Sequence, residues 1–167
     1  MNINGNQILD MALQAGDTAP EFSLTNTSGD TVTLQDLQNQ SEGDVLLTFF
    51  PLAFSSVCTD ELCTMRDNMK FYDSLNTTVA AISIDSFFTL REFKKANNLK
   101  FQLLSDFNKT ASKAYGVLYE DYFGMKGVSK RSVFIIGKDG KIKYTEVLED
   151  SGKLPDFKAI QNILLEK

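Results

Sequence analysis

Cys58 and Cys63 are the residues of this chain whose type and spacing most directly suggest chemistry. A cysteine thiolate is a nucleophile and a metal ligand, whereas the protonated thiol is neither. The chain contains no histidine, which excludes Cys-His and Ser-His catalysis, haem ligation by histidine and nearly all zinc sites. If either cysteine is a nucleophile, it must therefore be activated by something other than an imidazole.

The sequence around Cys58 predicts a strand, a loop and a helix, in that order. Residues 45–50, with the sequence VLLTFF, form a continuous apolar run typical of a strand buried on both faces, and Pro51 ends it. From Cys58 to about Leu75, apolar and aromatic residues recur at three- and four-residue steps, which indicates a helix. Loops at the carboxyl ends of such strands commonly carry the functional sites of α/β proteins.

Cys58 is predicted to lie in the first turn of this helix. Unpaired backbone N–H groups and the positive end of the helix macrodipole favour a thiolate there. Ser55, three residues earlier, can turn its hydroxyl toward the same anion, and Pro51 has no competing N–H and would help to exclude water. The alternative is that Cys58 is a small buried hydrophobic residue, which is common for a free cysteine.

The other segments predict an α/β fold in which helices flank a central mixed β-sheet. A β-hairpin is predicted for the sequence EFSLTNTSGDTVTL after Pro20, and a second one around the pair Asp139-Gly140. Periodicity further predicts a buried strand at 79–84, helices at 87–97, 109–115 and 155–166, and a short extended piece at 101–106. The last helix is predicted to begin with Pro155 in its first turn.

Size and charge restrict the class of protein. The 167 residues fit one domain, predicted at 15–167 after a loosely attached lead-in at 1–14. The net charge is -5 and Lys and Arg are scattered, so we expect no nucleic-acid partner. The sequence has neither a secretory signal pattern nor about twenty consecutive apolar residues, so we expect no membrane span and a cytoplasmic location.

The octapeptide from Pro51 to Cys58, PLAFSSVC, resembles the signature P-x-x-x-[T/S]-x-x-C of the peroxiredoxins, the AhpC/TSA family. The resemblance extends through AISIDS, LLSDFN, YGV and RSVFIIGKDGKI, and it covers nearly all of residues 15–147. The chain looks most similar to the bacterioferritin-comigratory (PrxQ) and one-cysteine AhpE-like branches. The resemblance implies a thioredoxin-like fold and a thiol peroxidase that requires no metal or organic cofactor.

The resemblance also implies roles for individual residues. Cys58 would be the peroxidatic cysteine, Ser55 would stand at the family's Thr/Ser position, and Pro51 would shield the thiolate. Arg131 matches the family arginine that reaches the active site, where a guanidinium stabilises both the thiolate and the leaving oxygen. Glu61 matches a glutamate that orients this arginine. From the residues alone, Arg131 reads instead as a solvated strand-end charge and Glu61 as a complement to the helix dipole.

The implied reaction has two thiol steps. Cys58 would attack hydrogen peroxide or an organic hydroperoxide and become a sulfenic acid. In relatives of the PrxQ type, a cysteine at the offset of Cys63 resolves this acid as an intramolecular disulfide. The alternative is a core-facing Cys63 and a one-cysteine cycle that an external thiol resolves. The family implies a thioredoxin or glutaredoxin-like reductant, while the preferred peroxide and the choice between monomer and homodimer stay open.

The spacing of the two cysteines adds a constraint. A step of five residues on an intact α-helix separates the Cα atoms by about 8 to 9 Å. A disulfide needs a separation of about 7 Å or less, so a Cys58–Cys63 bond requires the first turns of the helix to unwind. The spacing also disfavours a thioredoxin-like disulfide oxidoreductase, which would carry C-x-x-C. A non-enzymatic binding module with an inert Cys58 is the remaining alternative.

Overall fold

The structure is a computed structural model that describes residues 12–166. The strands are β1 (Ser23–Asn26), β2 (Thr31–Thr33), β3 (Val45–Phe49), β4 (Thr78–Ser83), β5 (Gln102–Ser105), β6 (Ser132–Ile136) and β7 (Ile142–Val147). The helices are α1 (Leu34–Asn39), α2 (Ser56–Asp67), α3 (Met69–Ser74), α4 (Phe87–Ala96), α5 (Thr110–Ala114) and α6 (Phe157–Leu165). Most of the lead-in predicted at residues 1–14 lies outside the described residues, and the domain boundary at residue 15 stays a prediction.

The strands form one mixed seven-stranded sheet in the order β2-β1-β5-β4-β3-β6-β7. Strand β3 is parallel to β4 and β4 is parallel to β5, whereas the other neighbours are antiparallel. Both predicted hairpins are confirmed, because β1 pairs with β2 and β6 pairs with β7. Gly140 closes the second hairpin with a φ of 78°, which a glycine adopts without strain. The predicted α/β fold with a central mixed sheet is confirmed.

Strand β3 is buried on both faces of the sheet, as its apolar run predicts. All of its positions are buried. Leu46 and Phe50, the residue directly after the strand, pack in one hydrophobic cluster with residues of α2, α3, α4 and α6. Leu47 and Phe49 pack in a second cluster with residues of α1 and α5 on the opposite face. Alternate side chains of a strand point to opposite faces, so the position of a residue along β3 determines whether it faces α2.

Two segments differ from the elements predicted for them. The periodicity does not predict helix α1, which begins after Thr33 because the Thr33 side chain and Asp36 form a capping box there. The piece at 101–106 is more than an extended connection. Its strand β5 pairs in parallel with β4 and antiparallel with β1, and it thereby joins the first hairpin to the parallel strands.

The boundaries of two helices also differ. The helix predicted from Cys58 to Leu75 is divided into α2 and α3, and Asn68 lies between them. The Asn68 side chain donates to the Thr64 carbonyl at 2.8 Å, a local bond that competes with continuation of the helix. Helix α6 begins after the N-cap Asp156, whose side chain accepts from a backbone N–H, so Pro155 lies outside the helix.

Tyr72 on α3 provides a test of the packing on the α2 side of the sheet. Its side chain is fully buried, and its hydroxyl has no hydrogen-bond partner among residues 12–166. A buried hydroxyl without a partner lowers stability, so we expect Tyr72→Phe to increase the free energy of unfolding by about 1 kcal/mol. Urea unfolding followed by circular dichroism measures this change.

The pH dependence and a matched variant check the result. Burial raises the pKa of Tyr72 to about 12. At alkaline pH the unfolded chain therefore loses this proton before the folded protein does, which destabilises the wild type but not Tyr72→Phe. The difference in free energy of unfolding between Tyr72→Phe and the wild type should thus grow as the pH rises. Tyr115→Phe is the control and should be destabilising, because the Tyr115 hydroxyl donates to the Pro20 carbonyl at 2.8 Å. A destabilised Tyr72→Phe would contradict the prediction.

Candidate active site

Helix α2 places Cys58 in its first turn, as the sequence predicts. Ser55 is the N-cap residue and has an extended backbone, and Cys58 is the third residue of the helix. Its side chain is 1% exposed. The first backbone N–H groups of a helix have no intrahelical acceptor, so the positive end of the macrodipole lies beside this thiol.

Arg131, directly before β6, reaches the same thiol from the neighbouring strand. Strand β6 runs antiparallel to β3 with Ser132 opposite Phe49, so Arg131 lies next to the end of β3 from which the chain enters α2. Its Nη2 lies 3.4 Å from Cys58 Sγ. The side chain is 1% exposed, so the interpretation of Arg131 as a solvated charge is wrong. A permanently charged donor thus lies against the sulfur.

Glu61 holds the other side of this guanidinium. It lies one helical turn after Cys58, its side chain is fully buried, and its carboxylate forms an ion pair with Arg131 Nη1. Desolvation raises the pKa of the Glu61 carboxyl above its ordinary value, and this effect outweighs the opposing influence of Arg131 and of a hydrogen bond from Thr48. For Arg131, desolvation lowers the pKa, but the charges of Glu61 and Cys58 outweigh it and the net direction is upward. The structure therefore brings together three of the residues predicted for the site.

A loop after β7 also contacts Arg131. Arg131 Nη2 donates to the Ser151 carbonyl at 3.0 Å, and the Ser151 hydroxyl lies 3.0 Å from the Tyr122 hydroxyl, which donates to it. The Tyr119 hydroxyl donates to the Glu149 carbonyl at 2.8 Å. The aromatic residues before β6 therefore fix the loop whose backbone accepts a hydrogen bond from Arg131. Sequence reasoning missed Ser151, since a backbone carbonyl carries no residue-type signal.

Ser55 and Pro51 lie close to Cys58 in the chain, but the Ser55 side chain has a different partner from the one predicted. Its hydroxyl donates to the Leu52 carbonyl at 2.8 Å, within the loop itself, and it is not available as a donor to sulfur in this conformation. Pro51 is buried, as a shielding residue must be. The loop is held by Asp85, two residues after β4, whose carboxylate accepts from the Ala53 N–H at 2.8 Å. Sequence reasoning missed Asp85.

Cys63 lies on the same uninterrupted helix as Cys58, and both thiols are free. The Cys63 side chain is half-buried, and its Sγ lies 3.7 Å from Asn97 Oδ1 at the end of α4. Arg66 Nη1 donates to the Asn97 carbonyl at 2.7 Å. The second half of α2 therefore contacts the end of α4, and its first half carries Cys58.

The arrangement is suited to nucleophilic chemistry by a thiolate. Cys58 has a helix N-terminus on one side and a guanidinium on the other, and both favour negative charge. Arg131 Nε is buried and has no acceptor among residues 12–166, so the guanidinium keeps further donor capacity. Within that range, no group of three or more cysteine, aspartate or glutamate side chains could hold a metal ion.

No helix in the described part of the chain has both the length and the apolar character needed to cross a membrane.

Comparison with protein families matches residues 15–145 to the AhpC/TSA family. Among curated proteins, the chain is 33% identical to alkyl hydroperoxide reductase E of Mycobacterium tuberculosis (strain ATCC 25618 / H37Rv) over 146 residues, which cover 86% of this chain and 91% of that protein. It is 38% identical to peroxiredoxin Bcp of Escherichia coli (strain K12) over 135 residues, covering 79% of this chain and 84% of that protein.

Solved structures agree with this result. The crystal structure of peroxidoxin BcpB from Mycobacterium tuberculosis superimposes with a TM-score of 0.81 at 27% identity and covers 91% of this chain and 96% of that chain. A peroxiredoxin-like protein from Aquifex aeolicus, at 23% identity, shares the fold with a TM-score of 0.82. The predicted thioredoxin-like architecture is confirmed.

Proposed function

The chain belongs to the AhpC/TSA family and is a thiol-dependent peroxidase, and we propose that Cys58 is the cysteine that attacks the peroxide. The observation that carries this proposal is the distance of 3.4 Å between Cys58 Sγ and Nη2 of the buried Arg131. A helix N-terminus supports it, because Cys58 lies in the first turn of α2. The substrate is a peroxide and the electrons come from a thiol reductant.

The first step is a displacement on oxygen. The Cys58 thiolate attacks the terminal oxygen of a hydroperoxide, and an S–O bond forms while the O–O bond breaks. The sulfur loses two electrons, and the leaving oxygen takes up a proton and departs as water or an alcohol. Arg131 donates to the oxygen on which negative charge develops, and its ion pair with Glu61 fixes the guanidinium in place. Cys58 is left as a sulfenic acid.

The second step resolves the sulfenic acid, and we assign it to Cys63. Its thiolate attacks the Cys58 sulfur, an S–S bond forms, and hydroxide leaves and is protonated to water. A dithiol reductant then returns two electrons and restores both thiols. The half-buried position of Cys63 supports this assignment, since an incoming thiol reductant must reach the disulfide. The competing candidate is a one-cysteine cycle, which the continuous α2 of the reduced protein favours.

Finer features of the cycle belong to the same proposal. The reductant is a thioredoxin or glutaredoxin-like protein, the protein works in the cytoplasm as a monomer or homodimer, and residues 15–167 form its single domain. Pro51 shields the thiolate from water. Ser55 contributes a hydroxyl after its bond to the Leu52 carbonyl is broken, since that bond occupies its proton in the reduced protein.

Rapid mixing with one equivalent of hydrogen peroxide tests the assignment of the two cysteines. We expect the wild type to lose two thiols and to form an intramolecular disulfide. In Cys63→Ser, we expect a trapped sulfenic acid that peptide mass spectrometry locates at residue 58. Loss of a single thiol in the wild type would support the one-cysteine cycle. A sulfenic acid at residue 63 in Cys58→Ser, with none at residue 58 in Cys63→Ser, would refute the proposal.

A further inference from the structure

Strand β3 contains one buried hydroxyl in an otherwise apolar run. Thr48 is fully buried, and it lies on the face of the sheet that carries Leu46 and Phe50, the face covered by α2. Its Oγ1 lies 2.7 Å from Glu61 Oε1. A hydroxyl at this position of the central strand therefore contacts the carboxyl group that holds the active-site arginine.

The Thr48 hydroxyl has two acceptors but only one proton. Besides Glu61 Oε1, the Ser132 carbonyl lies 3.0 Å from Thr48 Oγ1. When Glu61 is ionised, Thr48 donates to its carboxylate. When Glu61 is protonated, the acid can donate to Thr48, and Thr48 can donate to Ser132. The direction of the Thr48 hydrogen bond is thus coupled to the charge of Glu61.

We propose that Thr48 is a positioning residue that keeps Glu61 ionised and thereby determines how the positive charge of Arg131 is shared between Glu61 and Cys58. This inference deepens the proposed function and rests on Cys58 as the reactive thiol. One buried guanidinium contacts a carboxylate through Nη1 and a sulfur through Nη2. Two anions therefore compete for one buried cation, and Thr48 donates to only one of them.

Other charged and titratable groups face this cluster as well. Glu146 on β7 adds negative potential at Glu61 and opposes its ionisation. Tyr119 faces Arg131, whose charge favours the ionised phenol, although burial raises the pKa of Tyr119 overall. Within the described residues, Thr48 and Arg131 are the two side chains that donate hydrogen bonds to Glu61. Loss of the Thr48 donor should therefore change the charge of Glu61 directly.

The sign of the effect follows from the competition. A carboxylate beside Arg131 neutralises part of the charge that would stabilise a Cys58 thiolate. Without the Thr48 donor, the buried Glu61 takes up a proton more readily, and Arg131 then serves Cys58 alone. A like charge that shares the same buried guanidinium changes an ionisation midpoint by on the order of one pH unit. We therefore expect the Cys58 thiolate to form at lower pH when Thr48 cannot donate.

The ultraviolet absorbance of the thiolate, followed against pH in a Cys63→Ser background, measures this effect. We expect Thr48→Val to move the thiolate transition of Cys58 about one unit to lower pH. Thr48→Ser, the matched control that keeps the hydroxyl, should match the parent. Glu61→Gln should produce a similar shift, and adding Thr48→Val to Glu61→Gln should produce no further shift, because Thr48 acts through the charge of Glu61.

Two outcomes would overturn the inference. In the first, the thiolate transition of Thr48→Val stays at the pH of the parent or moves to higher pH. In the second, adding Thr48→Val to Glu61→Gln shifts the transition as much as Thr48→Val does alone. Thr48→Ala serves as a second non-donating variant if the valine does not fold. Because the titration uses no peroxide, it decides the role of Thr48 separately. A wild type that forms the thiolate but consumes no peroxide would instead refute the proposed function.

Discussion

Arg131→Lys should lower the second-order rate constant for the reaction with hydrogen peroxide by a factor of about 10² to 10³, the effect of removing one donor to a developing oxyanion. Arginine presents a planar fork that contacts Glu61 and Cys58 at the same time. Lysine keeps the charge but offers a single nitrogen on a flexible stem. Because lysine can still pair with Glu61, the variant avoids an uncompensated buried carboxylate, which would destabilise the fold. Stopped-flow mixing measures the rate constant.

Lys130 supplies the matched control for charge. It lies directly before Arg131 in the chain, but its Nζ pairs with the exposed Glu149 at 2.7 Å. Lys130→Gln removes one positive charge from the adjacent position without touching the guanidinium, so its rate constant should stay within a factor of about two of the wild type. Thermal unfolding of both variants shows whether the fold is retained. Equal rate constants for Arg131→Lys and the wild type would mean that the fork plays no part in the reaction.

Oxidation of the wild type by peroxide should remove the hydrogen-exchange protection of the first turns of α2. Cys58 and Cys63 both lie within this helix, where a five-residue step separates the Cα atoms by about 8 to 9 Å. A disulfide cannot span that distance unless the helix unwinds. Arg66 holds the second half of α2 to the Asn97 carbonyl, so the loss should be confined to residues before Arg66. Exchange measured by mass spectrometry on peptides from 56–67 records it.

Two comparisons make this result specific to the disulfide. Helix α4 (Phe87–Ala96) should keep its protection in the oxidised protein, which excludes general unfolding. Cys63→Ser treated with peroxide should keep α2 protected, because it can form a sulfenic acid but no disulfide. If the wild type formed the disulfide and α2 stayed protected, the two cysteines would bond without unwinding of the helix, contrary to the prediction. If no disulfide formed and α2 stayed protected, Cys63 would have no resolving role.

Local sequence patterns determined much of the fold and the location of Cys58. The apolar run at 45–50 predicted a doubly buried strand, and the helical spacing after Pro51 predicted that Cys58 would begin a helix. Both features are confirmed, because the hydrophobic pattern that predicts them is formed by residues close together in the chain. The hairpin predicted at Asp139-Gly140 is confirmed for the same reason, since the turn needs a positive φ and Gly140 supplies it locally. The family signature added the candidate roles of Arg131 and Glu61.

Only the tertiary structure decided how the polar groups pair. From the residues alone, Arg131 resembled a solvated charge, yet it contacts Cys58, 73 positions away, because β6 lies in register beside β3. Ser55 bonds to the Leu52 carbonyl instead of facing the thiol. Thr48 was visible in the sequence as the one hydroxyl in VLLTFF, but its contact with Glu61 depends on the face of the sheet on which α2 packs. The physical reason is that a hydrogen bond requires a specific distance and direction between two groups, and strand register and helix packing set both.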